Sequence, residues 1–304
     1  MSITVNSINP TYINQPGLRK NSVTFSAVNP KNDYKKEKNK LPAILLTALS
    51  IALGVLGFIK LRKSDKVFKD AYIKKLEEVQ LHLKNIFGKD FAIDEANSFL
   101  QKYQELHKIA DNKEYYKKLF EQLKADFQVE NKDLVLELWE KPMPVNGGEF
   151  AGYTEALTRK IGATCFEERI KTFKNLFHEF KHVKQNELMY RADPQRLIQA
   201  KVTELEKSNN ASWQEILRTC SGDKAKARKI VQDEVENVYR KNWNHLKPVS
   251  KTSPEYSQAL KYLENEENRI PPGEHYYEQI LEKEAQFVEK AAEKLYEILI
   301  NIAK

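Results

Sequence analysis

Five apolar side chains, Phe166, Ile170, Phe173, Phe177 and Phe180, recur at spacings of four, three, four and three. An α-helix puts such a set on one face, and a stripe made mostly of phenylalanine has to be buried. The pattern therefore predicts a helix from around Cys165 through CFEERIKTFKNLFHEFKHVKQNEL, docked on a core. On it, His178 and His182 stand four residues apart, so both leave the same side about one turn from each other. Two imidazoles so placed can share one zinc ion at ~2.0–2.1 Å. Glu179 follows His178 and is rotated from it by about 100°. That turns it away from joining the pair as a ligand and toward acting as a general base on a water.

A zinc site that does chemistry needs a third protein ligand and an open fourth position. Beyond the motif, His245, His275 and several carboxylates are candidates. A further histidine six residues after the motif is absent, because position 188 is leucine. The stretch HYYEQILEKEAQFVEKAAEKLYEIL carries Leu281, Ala285, Val288, Ala292, Leu295 and Leu299 on one face and predicts a second amphipathic helix, packed beside the first. Glu282 borders its apolar stripe, Glu284 falls nearer the stripe's centre, and Glu278 lies just before it. His82 and His107 stand singly on helical segments and read as structural or solvated.

HEFKH followed far downstream by LEKEAQFVEKA resembles the gluzincin-type metallopeptidases, in particular the ImmA/IrrE-like and HtpX-like groups. The resemblance covers two short segments. It implies a zincin-like domain with zinc on His178, His182 and Glu282, with Glu179 as the base, acting as a zinc metalloendopeptidase on a protein or peptide substrate. The third ligand in those groups lies three residues before a small residue, as Glu282 does before Ala285. Two positions depart from the pattern. Gln286 stands where those groups have Asn or Asp, and Lys181 is a charge at an inner motif position that mostly carries an uncharged residue. Tyr153, Tyr276, Tyr277 and His275 are candidates, by type and neighbourhood, for a donor to the oxyanion.

The rest of the chain sets the frame. Leu41 to Ile59 is uncharged and long enough, at about 1.5 Å per residue, to cross a bilayer's ~30 Å core. Lysines flank it on both sides, which predicts a single-pass membrane helix over 41–60 behind a disordered arm over 1–40. The net charge of +7 gathers around that run: residues 1–79 hold 14 Lys+Arg against 6 Asp+Glu, and the remainder is near neutral. A basic surface for nucleic acid is therefore not expected. Cys165 and Cys220 make neither a disulfide framework nor a thiolate zinc site.

Residues 61–130 read as helices, a spacer or packing region with breaks at FGKD and ADNK. Residues 131–304 read as the zincin-like domain. Within it LVLELW reads as a strand, KPMPVNGG as a turn, and EFAGY with RKIGAT as a hairpin. The insert over 191–243 reads as helices with polar breaks. The expected fold class is mainly α with a small β-sheet (α+β). Two other functions fit the same residues: a zincin-like sensor or scaffold without proteolysis, and a membrane-tethered helical interaction protein with a fortuitous motif.

Overall fold

The computed structural model describes residues 66–302, apart from 131–132, 146–147, 156–159, 209–210 and 271–274. The chain is mainly helical with a small sheet, an α+β fold. The arm and the apolar run Leu41–Ile59 lie outside the described residues. No helix among the described residues is long and apolar enough to cross a membrane. The chain divides into two units, and everything from Glu78 onward belongs to the larger one. Of the smaller unit only Lys66–Glu77 are described, as the start of helix α1 (Lys66–Phe87).

Helices α2 (Ile93–His107) and α3 (Asn112–Asp126) follow α1. The breaks fall where turn chemistry puts them. Gly88 takes a positive φ of 71° after α1, and the Asp111 carboxylate caps α3 by accepting from the Glu114 N–H at 2.7 Å. The central helix α4 (Arg169–Ala192) carries the histidine motif. Phe173, Phe177 and Phe180 on it are fully buried. Phe180 meets Phe120 and Phe127, each at 5.4 Å between ring centroids, and Phe173 meets Tyr103 at 6.0 Å. Each such burial contributes about 1.5–3 kcal/mol.

The helix starts at Arg169 rather than near Cys165, so Phe166 precedes it. The cause is Thr172. Its hydroxyl donates to the Thr164 carbonyl at 2.7 Å and accepts from the Phe166 N–H at 3.1 Å, which draws the chain back along the last strand. Arg169 then ties α4 to the end of α2, donating to the carbonyls of His107, Ile109 and Ala110 at 2.6–2.9 Å.

The sheet has three strands in the order β1 (Val135–Trp139), β5 (Lys160–Thr164), β4 (Gly152–Glu155). β1 runs parallel to β5 with Leu136 opposite Ile161, and β4 runs antiparallel to β5 with Tyr153 opposite Gly162. One face packs on α4. On the other, the Trp139 and Tyr153 rings stack at 5.0 Å across Gly162. A Cβ there would sit 2.1 Å from the Tyr153 ring, so only glycine lets the rings close. The stretch read as a turn contains a strand: β2 (Met143–Val145) pairs antiparallel with β3 (Gly148–Phe150). Three-residue strands carry no hydrophobic period, so backbone pairing alone defines them.

The insert forms α5 (Pro194–Ser208), α6 (Ala211–Thr219) and α7 (Lys224–Trp243), and α8 (Pro254–Glu267) follows. These helices close a second core around Leu197, Val202, Trp213, Val235, Tyr239 and Trp243. A short 3-10 turn (Tyr276–Glu278) leads into α9 (Ile280–Ile302), which lies along α4.

Candidate metal centre

α4 presents His178 and His182 on one side, their Nε2 atoms 3.1 Å apart. The first turn of α9 brings Glu282 to them. Its Oε2 lies 3.5 Å from His178 Nε2 and its Oε1 lies 3.5 Å from His182 Nε2. Donors held at ~2.0–2.1 Å by one tetrahedral ion stand roughly 3.3 Å apart. The three separations bracket that value, and the donor set of two imidazoles and a carboxylate is one that zinc takes.

Proton positions sharpen the fit. Gln185 Nε2 donates to the Leu281 carbonyl at 3.1 Å, which turns its Oε1 toward His182 Nδ1 at 2.8 Å. That oxygen only accepts, so Nδ1 carries the proton and Nε2 offers its lone pair. His178 Nδ1 likewise faces an acceptor, Glu289 Oε2, at 3.3 Å. With His178 neutral, its Nε2, His182 Nε2 and a Glu282 oxygen form a converging donor set that could hold a metal ion. Without an ion, a proton on His178 supplies the positive charge between the carboxylates. Burial alone would pull the His178 imidazolium down, but the Glu282 and Glu289 carboxylates beside it push it up to about 10. Burial would raise the Glu282 carboxyl, yet the two imidazoles and the Tyr276 hydroxyl hold it well below the usual carboxylate range.

Glu179 is 6% exposed and stands apart from the ligand set. The Thr154 hydroxyl, on edge strand β4, donates to its Oε2 at 2.8 Å. Its Oε1 lies against Gly152, where a Cβ would come within 2.9 Å. Burial pushes the Glu179 carboxyl upward, against the pull of the two imidazoles. Gly152, Thr154, Glu179, Tyr277 and the three candidate ligands line a cleft of about 280 Å³ that reaches down to Lys201, Glu266 and Arg269.

The other candidates go elsewhere. Glu284 pairs with Lys181 at 3.0 Å and accepts from the Tyr262 hydroxyl, so the motif lysine is neutralised on the flank of α4 away from the histidines. His275 and Glu278 pair with each other at 3.2 Å, both exposed. His245 is exposed and lies 3.9 Å from Glu130. His107 edges onto Tyr115 and Tyr296. Among the oxyanion candidates, Tyr276 donates to Glu282 Oε1 at 2.6 Å, and Tyr277 is 53% exposed at the cleft. Tyr153 stacks on Trp139 on the far face of the sheet.

Thr154, Gly152, Gln185 and Glu289 were not singled out in sequence. Gln185 and Glu289 had a faint signal: one lies three residues after His182, the other two turns after Glu282. Thr154 and Gly152 had none, since only strand pairing carries them to α4. No protein-family model, curated protein or solved structure matches the chain.

Proposed function

We propose that this chain is a zincin-like, zinc-dependent metalloendopeptidase, with His178, His182 and Glu282 as ligands and Glu179 as general base. The observation that carries the reading is the convergence of two imidazole lone pairs and a carboxylate at separations of 3.1–3.5 Å, beside a buried glutamate in an open cleft. Zinc, when bound, supplies a Lewis acid and lowers the pKa of water at the site toward ~7.

The protein's own groups do the remainder. Glu179 takes a proton from the attacking water and returns it to the leaving amine as the C–N bond breaks. Thr154 holds the Glu179 carboxylate in place. Among the described residues β4 pairs only with β5, which leaves its outer edge to hold an extended peptide by main-chain hydrogen bonds. The lysine-flanked apolar run over 41–59 supports membrane anchorage, and the chain is then expected in the membrane fraction of cells that make it.

Glu179→Gln is the test. The variant keeps its metal while peptide cleavage falls by about 10²–10⁴-fold. Full cleavage by that variant would overturn the mechanism. Metal without cleavage of a broad peptide library in the unaltered chain would favour a non-proteolytic sensor.

A further inference from the structure

We infer that Glu289 is the residue that orients His178 for metal binding, in place of Gln286, and that Lys174 holds Glu289 in position. The inference rests on the metal reading of the site.

Metal-ligating histidines use one ring nitrogen for the ion and give the other N–H to a fixed acceptor, which sets the tautomer and the ring's direction. His182 has such an acceptor in Gln185 Oε1. For His178, the resemblance in sequence points to position 286, four residues after the third ligand, where this chain has glutamine. The side chain that faces His178 Nδ1 is instead Glu289, with Oε2 at 3.3 Å. Seven residues separate it from Glu282, two turns of α9, so both carboxylates leave the helix on the same side. They bracket one imidazole: Glu282 faces Nε2 and Glu289 faces Nδ1.

The two oxygens of Glu289 have separate work. Oε1 lies 3.2 Å from Lys174 Nζ, and Lys174 stands one turn before His178 on α4. The same ammonium reaches Glu293 at 3.8 Å. Lys174 thus fixes the carboxylate along α4 and leaves Oε2 for the ring. His178 Nδ1 is buried from solvent and has no fully formed hydrogen bond among the described residues. Removing Glu289 takes away the fixed acceptor that faces Nδ1, and the ring is then free to change tautomer and turn its lone pair from the ligand cluster. A salt bridge that only pins α9 to α4 would behave differently, affecting the fold with or without metal.

Zinc affinity of the whole chain, measured by competition with a chromogenic chelator, separates these roles when read beside melting of the metal-free protein. Glu289→Ala is expected to weaken zinc binding by about 10–100-fold while metal-free melting stays near that of the unaltered chain. Glu289→Asp is expected to recover part of the loss, Lys174→Met to show a smaller loss, and Gln286→Ala to bind as the unaltered chain does. Cobalt substituted at the site adds a visible spectrum that changes in Glu289→Ala. Unchanged zinc affinity in Glu289→Ala, or the loss appearing in Gln286→Ala instead, would overturn the inference alone. No zinc binding by the unaltered chain would overturn the metal reading and this inference with it.

Discussion

Thr154 and Gly152 act on Glu179 from a strand that shares no sequence signal with the motif. The threonine hydroxyl is the donor that stabilises the ionised carboxylate, and the glycine leaves space for it. A hydrogen bond to a charged group contributes about 1.5–3 kcal/mol, equivalent to roughly ten- to a hundredfold in rate. Thr154→Val keeps the shape and removes the donor. It is expected to lower kcat/KM by that factor with zinc content unchanged. Because the donor favours the charged form, its loss raises the Glu179 pKa, and the acid limb of the pH–rate profile moves upward. An unmoved acid limb would count against Glu179 as the base. At this scale the pairing of His178 and His182 on one helix face was readable in HEFKH, since four-residue spacing on a helix is local. It did not show what touches Glu179, because strand-to-helix contacts join residues 25 apart.

At the scale of elements, α4 is readable because its phenylalanines obey a helical period, and α9 because its apolar stripe does. The choice between Glu282 and Glu284 is not settled by a helical wheel. Both carboxylates leave the N-terminal part of α9 toward neighbouring helices. Glu282 meets the histidines of α4, while Glu284 is taken by Lys181 and by Tyr262 of α8. The wheel puts Glu284 nearer the centre of the stripe, yet Glu282 is the more deeply buried of the two, because a wheel does not show which neighbour lies on each flank. Between α5 and α8, Lys201 and Glu266 form a buried ion pair joined by Glu204 and Arg269. Burial would raise the Glu266 carboxyl, but Lys201, with Arg269 beside it, holds it below its ordinary range. A depressed carboxyl stabilises the fold above its unfolded pKa of about 4.3 and loses that contribution as pH falls through the folded value. Glu266→Gln strips Lys201 of its closest counter-ion and is expected to cost about 3 kcal/mol, a fall in Tm of roughly 6–12 °C at neutral pH. The gap between the two proteins should narrow below pH ~4. Equal melting at pH 7 would show that the pair adds nothing.

Across the whole molecule, the helices α5 to α8 supply a second core and the charged floor of the cleft, while α4, α9 and β4 supply the candidate ligands and base. The insert is built into the fold: Met189 on α4 and Leu281 on α9 are part of the core it encloses. The α+β class was readable from helical periods and one strand run. The small β2–β3 pair was not, because so few residues define it. The central claim is a metal centre on His178, His182 and Glu282. Elemental mass spectrometry of the whole purified chain tests it directly, with His178→Ala and Glu282→Gln beside it. The account predicts about one zinc per chain, given the single set of three ligands among the described residues, and loss of that zinc in both variants. No zinc after reconstitution, or zinc retained in both variants, would contradict it.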